Sequence, residues 1–360
     1  MKKLIIKGMD KRYFSDKVVE WYSVNKRLLP WRDTSNPYHI WLSEVILQQT
    51  RVIQGLPYYL KFINAYPDVG DLARAPEQEI LRLWQGLGYY SRARNLHKCA
   101  KTIVDIHNGL FPKKYEDLLA LPGVGQYTAA AIASFAFGER VAVVDGNVFR
   151  ILSRIFGIDS LINSPEGKKT FSLLANELIP QNQPAIHNQS VMEFGALYCT
   201  PHNPRCPGCT FQSSCFAYKH DLVNALPAKS RPKKSRKRYF FYLVIEKNKT
   251  FLMKKRGAKD IWNGLFDFML IEKQKPIKVE KVLNDPEFKR LFIGTDTIGI
   301  SKPYKHILTH QTILCRFIHL KASQSFSIEG NGVSFYSKKQ IEQLPKPVLI
   351  SRFLNDQNQP

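Results

Sequence analysis

The run Leu121-Pro122-Gly123-Val124-Gly125-Gln126-Tyr127-Thr128-Ala129-Ala130-Ala131 constrains the fold more tightly than any other stretch. Residues 116–121 read as a helix stopped by Pro122. Residues 127–137 read as an Ala-rich helix of high intrinsic propensity. Between them, Gly123 and Gly125 permit the φ > 0 conformations of a tight turn. Helix, glycine turn and helix leave the N–H groups of residues 124–127 unpaired and aimed outward at a helix N-terminus, a ready anion site. A lone Gly-x-Gly would read as a plain helix corner. The full Leu-Pro-Gly-Val-Gly string is more specific, and it makes Gly123, Val124, Gly125 and Gln126 candidates for holding a phosphate.

Charge points to the same class of partner. The chain carries 53 Lys and Arg against 30 Asp and Glu, a formal charge of +23. Such an excess is the footprint of a polyanion binder. A membrane surface is the rival partner, but no apolar run approaches the length of a bilayer span. The first seven residues are basic, and their apolar stretch is too short for a signal peptide. A soluble, cytoplasmic protein of two domains is the expectation.

Cys199, Cys206, Cys209 and Cys215 form a C-x6-C-x2-C-x5-C pattern, while Cys99 and Cys315 stand alone and read as buried. Disulfides are disfavoured in a reducing compartment. Four crowded thiols suit a tetrahedral metal or an iron–sulfur cluster, and spacing leaves zinc and iron–sulfur both open. A further string, Val144-Asp145-Gly146-Asn147, places a lone carboxylate at the start of a helix over 147–156. A carboxylate beside a gripped sugar-phosphate strand suggests chemistry at a sugar carbon.

The hairpin, the Val-Asp-Gly-Asn string and the cysteine loop occur in an order that resembles the helix-hairpin-helix DNA glycosylase superfamily. Within it the chain is most similar to the adenine-specific mismatch glycosylases of the MutY type. That narrower likeness rests on Leu29-Pro30-Trp31-Arg32, on Ser43-Glu44-Val45-Ile46-Leu47-Gln48-Gln49-Thr50, and on Gly86-Leu87-Gly88-Tyr89-Tyr90-Ser91-Arg92-Ala93-Arg94-Asn95-Leu96. It implies a multi-domain chain: an all-α helix-hairpin-helix glycosylase domain over 1–226, a basic linker over 227–238, and a C-terminal α+β Nudix-like domain over 239–360. It also implies a [4Fe–4S] cluster on the four cysteines of the 199–215 loop.

Cleaving an N-glycosidic bond builds positive charge on the sugar and negative charge on the leaving base, and two carboxyl groups in different protonation states answer both needs. Glu44 lies in an apolar helix, where burial would keep it protonated so that it can donate to adenine N7. Asp145 caps a helix, where free N–H groups favour its ionised form beside an oxocarbenium-like sugar. Tyr127 stands where the endonuclease III branch has a Schiff-base Lys, which implies a monofunctional enzyme. Its hydroxyl is expected to bond Asp145, and Asn147 to partner the same carboxylate or a water. Arg32 is expected to steady the extruded adenine or a phosphate, with Trp31 in the core.

By the same resemblance, Gln49 and Tyr89, with Leu87 nearby, enter the base stack, and Gln48 and Thr50 lie at the opposite base. In the C-terminal part, strands are expected over 239–246, 251–256 and 266–271, with a helix near 279–292. The Glu-rich box of Nudix hydrolases is not present. Relatives carry Phe-Ser-His where this chain has Leu308-Thr309-His310, so Thr309 keeps a hydroxyl for the edge of 8-oxoguanine while the aromatic ring is lost. His306 and His310 lack further ligands at zinc spacing. The implied partner is double-stranded DNA with adenine opposite 8-oxoguanine, bound by a monomer. The rivals are a bifunctional pyrimidine glycosylase/lyase and a non-catalytic DNA-binding redox sensor.

Overall fold

The computed structural model describes residues 10–230, 235–258, 260–328, 330 and 332–357. The amino-terminal basic stretch read above and residues 231–234 of the basic run lie outside them. The chain divides into two compact units, one of residues 1–74 and 98–231, the other of 75–97 and 232–360.

The first unit is helical. Asn36 accepts from Tyr38 N at 2.9 Å and Pro37 opens the helix Pro37–Leu47, a residue order suited to a helix start. This helix packs on Gln126–Phe137, the second helix of the glycine turn. That turn departs from expectation in two ways. Gly123 has a φ of +74°, but Gly125 is extended at −96°. The Val124 N–H is also taken, by Leu121 O at 3.1 Å. Gly125 is therefore not required for dihedral freedom, and a Cβ there would meet no atom within 4 Å, so nothing in the turn itself excludes a side chain at that position. The free N–H groups belong to the turn that begins at Gln126.

The helix Gly146–Phe156 is capped by Asp145 and stopped by Gly157 at φ +70°. Its inner face, Val148, Ile151, Leu152 and Ile155, is buried against Phe14, Phe171, Phe194 and Phe211. Each such side chain contributes roughly 2 kcal/mol through burial. This rigid helix, packed on Pro184–Leu197, fixes where Asp145 points.

The second unit is a mixed sheet. Its strands are β1 (Arg236–Lys247), β2 (Thr250–Lys255), β3 (Phe266–Asp267), β4 (Met269–Lys273), β5 (Thr295–Ile300), β6 (Tyr304–Ile307), β7 (Gln311–Ala322) and β8 (Val333–Ser337). The order is β3-β2-β1-β7-β5, with β4 paired to β1, β6 to β7 and β8 to β2. Among the described residues, only the β1–β7 pair is parallel. Phe241, Leu243 and Ile245 of β1 face the helices Val279–Leu283 and Pro286–Leu291. The single helix expected over 279–292 is split because Asp285 and Pro286 cap and start a new one. The strand expected over 266–271 is likewise divided, at Phe268.

Residues 75–97 are joined to this sheet unit by polar contacts. Gln85 Nε2 donates to Ser351 Oγ at 3.2 Å and its Oε1 accepts from Lys346 N at 3.1 Å. Arg94 Nη1 donates to Asn263 O at 2.7 Å. Among the described residues no helix is long and apolar enough to cross a membrane.

Candidate active site

Glu44 sits on the helix Pro37–Leu47 between buried Ser43 and Val45 and is 7% exposed. Burial pushes its carboxyl up to about 7, a nearby Asp145 charge adds to the rise, and Tyr127 and Arg32 oppose it. Tyr127 Oη donates to Glu44 Oε2 at 2.5 Å. The expected bond from Tyr127 to Asp145 is therefore replaced by one to Glu44. The reason is placement: Tyr127 lies in the first turn of Gln126–Phe137, which packs directly on the helix of Glu44.

Asp145 is the cap of Gly146–Phe156. Its Oδ1 accepts from Asn147 N and Val148 N, both at 2.8 Å, and its Oδ2 accepts from Asn147 Nδ2 at 2.7 Å. Asn147 is thus a partner of this carboxylate, as the sequence suggested. Burial raises the Asp145 carboxyl above its ordinary value, and the three N–H bonds pull against that rise. Cap bonding favours ionisation, but desolvation outweighs it in this half-buried site.

Both acids line one cavity of about 410 Å³, together with Arg27, Trp31, Arg32, Thr50, Tyr127, Asn147 and Glu193. Arg32, expected to steady a base, does line it, and its guanidinium is held by Glu193 through bonds of 2.8 and 2.6 Å. Arg27 binds the same carboxylate through its main-chain N at 3.0 Å, Nε at 2.8 Å and Nη2 at 2.6 Å. Glu193 has no exposed surface; burial pushes its carboxyl up, but the two arginines outweigh that and hold it at about 2. Sequence reasoning missed Arg27 and Glu193. The signal was the one that singled out Glu44, a lone carboxylate in an apolar helical stretch, here Val191-Met192-Glu193-Phe194.

Trp31 is 7% exposed, so it is a core residue that also walls the cavity. Gln48 Nε2 donates to Thr128 Oγ1 at 3.3 Å. Gln49 is exposed with φ +55°, a conformation that costs an L residue roughly 1–3 kcal/mol and concentrates at functional sites. Thr50 also lines the cavity. Gly123, Gly125 and Gln126 are exposed on the glycine turn and Val124 is buried. Leu87, Tyr89, Thr309 and His310 belong to the second unit; Leu87 is buried and the other three are exposed.

The four loop cysteines line a single cavity with Arg154, Tyr198, Arg205 and Phe211. Arg154 Nη1 donates to Cys199 Sγ and Phe211 N to Cys209 Sγ, both at 3.5 Å. Burial pushes the Cys206, Cys209 and Cys215 thiols up, and the Cys199 sulfur adds to each rise. Among the described residues, no three Cys, His, Asp or Glu side chains close around a point as they would about one ion. Cys99 and Cys315 are buried, as read.

One further residue, Arg150, ties this loop to the acid site. Its Nε donates to Cys199 O at 2.7 Å, and its Nη2 donates to Asn147 Oδ1 at 2.8 Å and Gly195 O at 2.6 Å. The Asn147 amide is thereby oriented with its Nδ2 toward Asp145.

Residues 42–179 match the family described as HhH-GPD superfamily base excision DNA repair protein, and residues 241–356 match a NUDIX domain. The adenine DNA glycosylase of Buchnera aphidicola subsp. Baizongia pistaciae is 33% identical over 93% of this chain and 94% of that protein. The adenine DNA glycosylase of Homo sapiens is 42% identical over 57% of this chain and 39% of that one. Among solved structures, a thermostable thymine-DNA glycosylase is 31% identical with a TM-score of 0.55, over 58% of this chain and 97% of its own. A trapped endonuclease III–DNA intermediate, 23% identical with a TM-score of 0.52 over 59% of this chain and 99% of its own, shares the fold. The chain is a DNA repair glycosylase with a helical catalytic domain and a strand-rich NUDIX-like domain, and it belongs to the adenine DNA glycosylase family.

Proposed function

We propose that this enzyme hydrolyses the N-glycosidic bond of adenine mispaired with 8-oxoguanine or guanine, leaving an abasic site in an uncut strand. One observation carries the reading: Glu44 and Asp145 wall the same purine-sized cavity with different partners. Glu44, with a pKa near 7, holds a proton for adenine N7, which turns the base into a neutral leaving group. Asp145, accepting three N–H bonds, supplies negative charge beside the sugar as the bond breaks. Arg32, clamped by Glu193, offers a planar guanidinium to the extruded base. Tyr127 gives its hydroxyl to Glu44, and a phenol forms no Schiff base, so strand cleavage does not follow.

Gly123, Gly125 and Gln126 hold a backbone phosphate at the start of the helix Gln126–Phe137. Gln49 and Tyr89, with Leu87 behind, replace the stacking lost when adenine leaves the duplex; Gln48 and Thr50 serve the opposite base. Thr309 and His310 read that base from the C-terminal domain, 239–360, which the basic run 227–238 links to the glycosylase domain, 1–226. The enzyme acts as a monomer on DNA in the cytoplasm.

The test sets adenine opposite 8-oxoguanine, guanine and thymine in parallel duplexes, followed by alkali. Alkali-labile sites are expected with 8-oxoguanine fastest and thymine slowest. Absence of such sites in all three, or a borohydride-trapped covalent complex in high yield, would reject the reading.

Cys199, Cys206, Cys209 and Cys215 suit a [4Fe–4S] cluster. Four sulfurs wall one cavity, and Arg154 and the Phe211 N–H already point donors at two of them, as thiolate ligands require. The cluster would pin the 199–215 loop, and through Cys199 O it would steady Arg150. Purified protein is expected to be brown, with about four irons and four acid-labile sulfides per chain. A colourless preparation with stoichiometric zinc would contradict this.

A further inference from the structure

Gly195 lies inside the helix Pro184–Leu197, is buried, and does not have a positive φ. A glycine in a helix interior weakens the helix relative to alanine. One that is buried at an ordinary helical φ has a packing reason to be there.

The packing is close. A Cβ at this position would stand 2.6 Å from Asn147 Cβ, 3.1 Å from Ile151 Cδ1 and 3.2 Å from Asn147 Cα, whereas ordinary contact begins at 3.4 Å. The most crowded atoms are the stem and main chain of Asn147, not the swinging end of a long side chain. Such a clash is relieved only by moving Asn147 or the whole helix. Ile151 and Phe194, beside the contact on either helix, are buried in one core, so the two helices cannot spread without opening it.

Asn147 cannot move without consequence. It is the second residue of the helix Gly146–Phe156, and its N and Nδ2 donate to the two oxygens of Asp145 at 2.8 and 2.7 Å. Gly195 O accepts from Arg150 Nη2 at 2.6 Å, and the same nitrogen donates to Asn147 Oδ1 at 2.8 Å. Gly195 therefore meets Asn147 twice, by close approach at its stem and through Arg150 at its amide oxygen.

We propose that Gly195 is a positioning residue for adenine release: its lack of a side chain lets the helix Pro184–Leu197 come close enough to seat the Asn147 amide on the Asp145 carboxylate. This rests on the proposed function, in which Asp145 supplies negative charge beside the sugar. The other groups about Asp145 are Arg150 of its own helix, Glu44 and Tyr127 of two further helices, and Glu193 of Pro184–Leu197, which lines the same cavity and is paired with Arg27 and Arg32. The Asn147 amide is the partner that an added methyl would displace. It bonds the charged form of Asp145 and pulls against the rise that burial causes. Displacing it makes Asp145 easier to protonate. Glu44 is governed by its own burial and by Tyr127, which the contact does not reach.

The test is Gly195→Ala in the full chain, reading the single-turnover rate of adenine release against pH. The acid limb, where Asp145 gains a proton, is expected to move up by about half to one pH unit, the size of one net hydrogen bond. The rate at the optimum is expected to fall about tenfold to a hundredfold. The alkaline limb at about 7, where Glu44 loses its proton, should stay in place. Asn147→Gly removes both the amide and the Cβ that the methyl would strike. On that background Gly195→Ala is expected to change the rate less than about threefold. An unchanged profile, a fall in rate with both limbs unmoved, or losses that multiply in the double variant would overturn the positioning role and leave the function standing. If Gly195→Ala alone does not fold, the double variant decides: a recovered fold with the profile of Asn147→Gly supports the contact, and failure where Asn147→Gly folds overturns it. If the wild type releases adenine with no acid limb, Asp145 has no such part in the reaction, and the inference falls with that part of the proposed function.

Discussion

Asp145→Asn is expected to reduce adenine release at least a thousandfold while binding to the mismatched duplex stays within a few-fold. An asparagine cannot carry the negative charge that the sugar demands as the glycosidic bond breaks, and losses of this order follow removal of such a group. The fold should survive, because Asn is as good a helix cap as Asp and its Oδ1 can still accept from Asn147 N and Val148 N. The new Nδ2 would face Asn147 Nδ2, where Oδ2 now accepts, so one donor pair must turn away, at a cost of about 1 kcal/mol. Single-turnover rates with a parallel binding titration decide the matter. Wild-type turnover by this variant would remove Asp145 from the mechanism.

Glu44→Gln should cost on the order of a hundredfold to ten-thousandfold in the same rate, because an amide has no proton to give. In the wild type, activity should fall as pH rises through about 7, where Glu44 loses its proton, and fall again on the acid side as Asp145, raised by burial, gains one. The stability effect runs the other way. The folded carboxyl holds its proton to about 7, whereas in the unfolded chain it ionises near its ordinary value. The wild type therefore becomes less stable as pH rises between those values, and the deficit is constant above them. Glutamine removes this deficit, so the inactive variant should be more stable than the wild type at pH 8, by at most on the order of 3 kcal/mol. Thermal melts at pH 5 and pH 8 measure it. A variant no more stable than the wild type at pH 8 would mean that Glu44 is not held protonated by burial.

Glu44 and Asp145 were legible because their environments are local. An isolated carboxylate in an apolar helical run is desolvated by its sequence neighbours, and an Asp before a helix is a cap. Partners across helices were not legible. Tyr127 bonds Glu44 rather than Asp145 because two helices pack face to face, which no spacing in one chain encodes. Glu193 carried the local signature but belongs to no string with a recognisable turn or metal spacing. Its role emerges only once Arg27 and Arg32 arrive from 166 and 161 residues away. Arg150 is similar, since its value lies in touching Cys199 and Asn147 at once. The glycine turn was half legible: two glycines signalled a turn, but only the backbone shows that Gly123 needs its positive φ while Gly125 is extended in open space. In the sheet unit, Pro286 as the first residue of a new helix was readable in advance, whereas the attachment of 75–97 was not.

That attachment bears on how such a protein can be inherited or rebuilt. The strand-rich unit is assembled from two stretches separated by more than a hundred residues, and Gln85, Tyr90 and Arg94 are stitched into it from the early one. A graft of residues 239–360 onto a foreign glycosylase would leave the Ser351, Lys346 and Asn263 bonds without their mates. Exchange between related genes should therefore carry 75–97 along with the tail, so that the two pieces travel as one heritable block.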